Sequence, residues 1–214
     1  MANLFQTYSA DFVNGFKYTL YASLLALVFS LIIGTLMAIL QLSHNGIIRR
    51  LAKAYVAFFR NIPLLIIVMF FYVVAPMYFY SFDGFQAGTI GLTIYTSAFI
   101  AETVRSGIQT VPKGQTEAGL SSGFSYAETM RYIVLPQAFK IVIPPLGNQF
   151  INLIKNSSIL AMVAGLDLMY QGDLIASNTF NTFDTYIIVG LFYLILTLPL
   201  SYLMNFLDKR WSKA

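Results

Sequence analysis

Apolar residues in this chain come in long continuous runs separated by short polar stretches. A helix needs roughly 20 mostly apolar residues to cross the hydrocarbon of a bilayer. Five runs approach or exceed that length: about residues 16–41, 62–80, 88–108, 139–164 and 186–207. Continuous runs predict α-helices, because a membrane barrel would show short alternating strands instead. The pattern therefore predicts an all-α integral membrane fold of about five transmembrane helices in a single domain over residues 1–214, with no internal repeat and no soluble domain. The fourth run stands apart: Pro144-Pro145 falls in its first turns, where an interruption is expected, and the stretch from Asn148 to Ser158 is rich in polar groups.

Composition fixes the solvent. With 57% hydrophobic and 10% charged residues, the chain has too little polar surface for a water-soluble globule. The absence of Cys excludes a disulfide framework and a thiolate metal site. The opening MANLFQTYSADFVNG carries no basic cluster and leads into a run longer than a signal-peptide core, so the first span is expected to stay.

Charge then orients the bundle, since short loops rich in Lys and Arg stay in the cytoplasm. Arg49, Arg50, Lys53 and Arg60 follow the first run; Arg105, Lys113, Arg131 and Lys140 follow the third; Lys209, Arg210 and Lys213 form the tail. These are eleven of the thirteen cations, the others being Lys17 and, inside the fourth run, Lys155. The segments after the second and fourth runs hold Asp83, Asp167, Asp173 and Asp184 and no cation. The expected orientation has the N-terminus outside and the C-terminus cytoplasmic, with residues 109–138 forming a cytoplasmic loop. The segment from Arg49 to Arg60 is expected as an amphipathic helix on the inner surface, its Tyr55, Phe58 and Phe59 facing headgroups or the bundle. Tyr72, Tyr78, Phe79, Tyr80 and Phe82 read as an outer aromatic belt.

Within the cytoplasmic loop lies EAGLSSGFSYAETMRYIVLP, residues 117–136. Pro112 suits a first helical turn, Gly123 suits a left-handed helix stop, and Ser125 with Glu128 makes a capping box that restarts a helix. Tyr126, Met130, Ile133 and Val134 recur at helical spacing as an apolar stripe, and Pro136 is expected to end or bend this helix. The stretch predicts helix, sharp corner, helix.

The order Glu117-Ala118-Gly119, three residues, Gly123, nine residues, then Ile133-Val134-Leu135-Pro136 resembles the EAA loop of ABC-importer membrane subunits, with Gly119 where the family usually has Ala. Further stretches resemble the polar amino acid branch: residues 59–65 (FRNIPLL), 101–105 (AETVR), 112–115 (PKGQ) and 152–158 (NLIKNSS), with Ile62 in place of the usual Thr or Ser. The resemblance covers roughly residues 12 to 210. It implies an importer in a prokaryotic cell membrane, assembled from two membrane subunits, two cytoplasmic ATPase subunits and an external solute-binding protein. The hairpin of Glu117, Ala118, Gly119, Gly123 and Pro136 would then dock on the ATPase. No Gly-Lys dipeptide occurs, so a phosphate-binding P-loop is absent and ATP belongs to another chain. No cofactor, metal or nucleic acid is expected.

Two other readings compete. Gly119-Leu120-Ser121-Ser122-Gly123 matches the G-x-S-x-G nucleophile pattern, but that motif needs a preceding strand and a later His, and the sole His, His44, lies upstream. An ion- or proton-coupled secondary transporter would also place polar groups in its spans, yet it leaves the hairpin without a task. Polar groups inside spans are costly and mark a path or a partner. Asn148, Asn152, Lys155 and Asn156 fall on one helical face, and Glu102 lies about two turns from the cytoplasmic end of the third run. Glu102, Asn152, Lys155, Ser157 and Arg60 are the candidate path residues: Lys155, with Asn152 and Ser157, would face a carboxylate, and Glu102 an amino group. The alternative for Glu102 is a structural pair with Arg105 one turn on, and for the Asn residues, helix-joining hydrogen bonds.

Overall fold

The computed structural model describes residues 1–211, so Lys213 of the basic tail lies outside the described residues. Among them the chain is helical without strands. The elements are α1 (Ala2–Gln41), α2 (Gly46–Asn61), α3 (Leu64–Met69), α4 (Ala75–Tyr78), α5 (Gly84–Thr110), α6 (Lys113–Ser121), α7 (Tyr126–Thr129), α8 (Leu135–Asn156), α9 (Leu168–Thr179) and α10 (Thr182–Trp211). A π turn, Phe70–Val74, joins α3 to α4, another, Met130–Val134, joins α7 to α8, and a 3-10 segment, Ser157–Val163, follows α8.

By length and composition α1 and α10 can each cross a membrane, and two bent pairs can each form a further span: α2 with Leu64–Tyr78, turned by 105°, and Tyr126–Val163 with α9, turned by 49°. The 27 residues of α5 reach about 40 Å, again a spanning length, although Gly, Ser and Thr lower its hydropathy. Those small residues explain its place at the centre. Gly15, Ala22, Ala26, Ser30, Gly34 and Ala38 form the buried seam of α1, and α5 packs on it, with Leu92 at Ala26 and Ser97 and Ile100 at Gly34, the close packing that membrane helices use in place of a hydrophobic drive. A Cβ on Gly34 would sit 2.7 Å from the Ser97 carbonyl oxygen, so the two backbones approach as only glycine allows.

Several expectations change. Helix α1 begins at Ala2, well before the apolar run that opens near residue 16; its N-terminal turns pack Phe12 with Leu168, Ile175, Ile188 and Val189. Pro144-Pro145 does not interrupt the fourth span, since α8 runs through both prolines. The break comes later, at Asn156, and the segment ends on Ala164 in a left-handed conformation (φ 54°). Pro136 does not end the hairpin helix. Both π turns finish two residues before a proline, Pro76 or Pro136. Proline lacks the N–H that would bond four residues back and its ring crowds that carbonyl; the widened turn relieves the clash and lets the chain continue. The extra residue also rotates the predicted stripe, so that Met130 packs on buried Val134 and Ala138 while Tyr126 is exposed. Helix α9 was not expected at all. Asp167 caps it, accepting from the N–H groups of Met169 (3.0 Å) and Tyr170 (3.4 Å), and Leu168 and Ile175 bury its inner face.

Candidate functional site

The hairpin is a formed corner. Its turn is a complete Schellman motif: the Phe124 N–H donates to the Gly119 carbonyl (3.2 Å), the Gly123 N–H to that of Leu120 (3.0 Å), and Gly123 is left-handed at φ 87°. The Ser125 hydroxyl accepts from the Glu128 N–H while the Glu128 carboxylate accepts from the Ser125 N–H at 2.8 Å and hydroxyl at 2.7 Å. These bonds hold the Glu128 carboxyl below its usual range. The cap is thus present at neutral pH and fails as pH falls through that lowered value. Gly119 is buried against Thr129, and a Cβ there would lie 2.6 Å from the Thr129 methyl, which accounts for Gly at the position where Ala is usual. Glu117, Ala118, Leu120, Phe124 and Tyr126 remain exposed on the outer side of the corner, as does Pro136.

Behind it, the corner is fastened to two helices. Val111, just past the end of α5, packs with Val134, the last residue of the second π turn, and Ala138 in the first turn of α8. Gln137 donates from Nε2 to the Gln115 side chain at 3.2 Å. Displacement of the corner therefore acts on α5 and α8 together.

The same two helices wall a groove made of two adjoining cavities that share Phe99 and Gln149. The one nearer the hairpin, about 330 Å³, is lined by Arg60, Glu102, Thr103, Ser106, Thr110 and Pro145; the other, about 340 Å³, by Tyr95, Asn152, Lys155 and Asn156. Each is within the range of about 300–1,000 Å³ for small-molecule sites. Glu102 pairs with Arg105, Oε1 to Nη2 at 2.5 Å and Oε2 to Nε at 3.2 Å, so the structural pairing is present. Arg60 Nη1 approaches the same carboxylate at 3.8 Å, and its guanidinium lies 5.4 Å from the Phe99 ring centre. Lys155 is exposed and makes no ion pair among the described residues. Arg105 lines neither cavity; with Arg60 and Lys155 against Glu102, the lining is net cationic and suits a carboxylate better than a cation.

The structure thus gathers Arg60, Glu102, Asn152 and Lys155 along one groove. It does not bring Ser157 there: where α8 tightens into the 3-10 turn, Ser157 becomes fully buried and its hydroxyl donates to the Ile154 carbonyl at 2.7 Å. Asn148 is exposed but lines neither cavity. Sequence reasoning missed Tyr95, Phe99 and Gln149. Tyr95, Phe99, Glu102, Thr103, Ser106 and Thr110 follow helical spacing, and Gln149 precedes Asn152 and Asn156 by three and seven. The nucleophile pattern lacks its strand-to-helix turn: Ser121 is the last residue of α6 and Ser122 its cap.

Residues 30–213 match the family described as the binding-protein-dependent transport system inner membrane component. The chain belongs to this family. It is 56% identical over 211 residues to a probable glutamine ABC transporter permease of Bacillus subtilis (strain 168), covering 99% of this chain and 97% of that one. It is 36% identical over 200 residues to the glutamine transport system permease of Escherichia coli (strain K12), covering 92% and 91%. The fold superposes on a crystal structure of an amino acid ABC transporter with histidines at a TM-score of 0.90, with 35% identity and 95% of each chain covered. It also superposes on an inward-facing methionine ABC transporter at 0.79, at 21% identity over 93% and 95%, a likeness of fold alone. This permease is accordingly an all-α inner-membrane transport component of the ABC class, and the secondary-transporter reading is not favoured.

Proposed function

We propose that the permease carries polar amino acids inward through the groove between α5 and α8, driven by ATP hydrolysis in a separate subunit that docks on the corner at Gly123. The observation that carries this reading is mechanical: one hairpin, fixed to the end of α5 and the start of α8, joins the two groove walls. Polar and charged side chains on the open face, Asn152 and Lys155 among them, cannot face lipid cheaply, since a charge at mid-bilayer costs about 3 kcal/mol or more. A second permease copy or a similar subunit covers that face and completes the path. An external binding protein delivers the solute. The amide-bearing wall of Gln149, Asn152 and Asn156 suits an uncharged polar side chain, in keeping with the glutamine permeases among the relatives.

Proteoliposomes holding the permease and its ATPase, with ATP inside and binding protein outside, should take up glutamine in the presence of ionophores and fail without the ATPase subunit. Uptake that follows an ion gradient and ignores the ATPase would refute the reading.

Five spans with the N-terminus outside complete the proposal. Because the chain has no native Cys, Asp83→Cys should react with an impermeant thiol reagent from outside and Lys113→Cys only from inside. Labelling of both from one side would exclude this topology.

A further inference from the structure

At the junction of α2 and α3 the chain turns through 105°, which sets α2 nearly perpendicular to the second span and so along the membrane surface. The inside of this elbow is a cavity of about 340 Å³ with a wholly apolar lining: Phe58 and Phe59 from α2, Ile62 at the bend, and Ile66, Phe70 and Phe71 from the span. Phe58, Ile66 and Phe70 are 58%, 57% and 46% exposed, so the cavity opens outward instead of into the protein core.

Helix α2 itself has three sides. Ala52 and Val56 are buried, and Tyr55 bonds Ser97 of α5 at 2.7 Å, which fixes the inner side. Ile47, Leu51 and Phe58, spaced by four and seven, form an exposed apolar stripe that continues into the cavity. Arg49, Arg50 and Lys53 are exposed off that stripe, Arg49 also donating to the Ser43 carbonyl at 3.2 Å; α2 contains no acidic residue, and none of the three forms an ion pair among the described residues. A polar solute has nothing to bond in the cavity, and free anions have no use for its phenyl lining. A molecule with a hydrocarbon chain and an anionic head satisfies both halves.

We propose that the elbow holds an anionic phospholipid of the cytoplasmic leaflet, an acyl chain filling the cavity and the headgroup resting on Arg49, Arg50 and Lys53. The choice of leaflet rests on the proposed topology; the binding chemistry does not. Juxtamembrane basic segments are drawn to anionic lipid in this way, and the stripe of α2 adds the apolar contact that holds such helices in the interface.

The test uses the complete importer complex in nanodiscs of phosphatidylcholine, with or without phosphatidylglycerol. Native mass spectrometry should show phosphatidylglycerol retained on the wild-type permease. The triple change Arg49→Gln, Arg50→Gln, Lys53→Gln should weaken that retention about a hundredfold while leaving ATP hydrolysis in phosphatidylcholine unchanged. Ile66→Trp, which fills the cavity and keeps the cations, should also lose the lipid. Inorganic phosphate should not compete. Equal retention in wild type and both variants, equal retention of phosphatidylcholine, or a disulfide between Ile66→Cys residues of two copies would overturn the assignment; the disulfide would place a second permease on the elbow. Labelling of Asp83→Cys and Lys113→Cys, done separately, tells a failure of the topology from a failure of the lipid site.

Discussion

Lys155→Met is expected to raise the half-saturation for solute-stimulated ATP hydrolysis about ten- to a hundredfold, because a hydrogen bond to a charged group contributes about 1.5–3 kcal/mol and each 1.4 kcal/mol is tenfold. Thermal stability should hardly move, since Lys155 is exposed and has no ion-pair partner among the described residues whose loss could destabilise the fold. Glu102→Gln behaves differently. It releases Arg105 and Arg60 at once, so stability and uptake should fall together, for neutral and basic amino acids alike. Titrating glutamine and arginine against both variants and recording melting curves separates the two roles. A Lys155→Met complex that melts early yet keeps its half-saturation would make Lys155 structural and remove it from the path.

Gly123→Val is expected to abolish most coupled transport while leaving insertion intact. A Cβ at Gly123 would meet nothing within 4 Å, so the substitution acts through backbone conformation alone. A β-branched residue at φ 87° costs about 1–2 kcal/mol, enough to open the Schellman turn and too little to unfold a membrane bundle. Gly123→Ala should show a smaller loss in the same direction. Because the corner holds α5 and α8 in register, loosening it should reduce the stimulation of the ATPase by solute and binding protein together. Normal stimulation and uptake in Gly123→Val would remove the docking role of the corner.

What could be read from the sequence was local. Ser125 and Glu128 sit three apart, Gly123 stands alone at a helix end, and long apolar runs announce spans, because each signal is complete within a few consecutive residues. Helix α9 was hidden: it is only 12 residues long, with Ser177 and Asn178 exposed, and it becomes necessary only because the N-terminal turns of α1 bring Phe12 to meet Leu168 and Ile175. The groove was half legible. Lys155 and Glu102 stand out as charges in apolar runs, whereas Phe99 and Gln149 are ordinary residues until α5 and α8 come together. The inward turn of Ser157 depends on the tightening of the helix after Asn156, which no neighbouring residue announces. The π turns follow from Pro76 and Pro136, but a proline alone does not say whether a helix stops or widens.

The central claim is that the corner at Gly123 moves the walls of the groove. With no native Cys, spin labels can be placed at Ser106→Cys on α5 and Asn148→Cys on α8, both exposed, in complexes whose partner subunits lack reactive thiols. The distance between the labels, measured by pulsed electron resonance with and without a non-hydrolysable ATP analogue, should shift in the wild-type background and stay fixed in Gly123→Val. The same shift in both backgrounds would contradict the claim, as would no shift in a wild-type complex that transports.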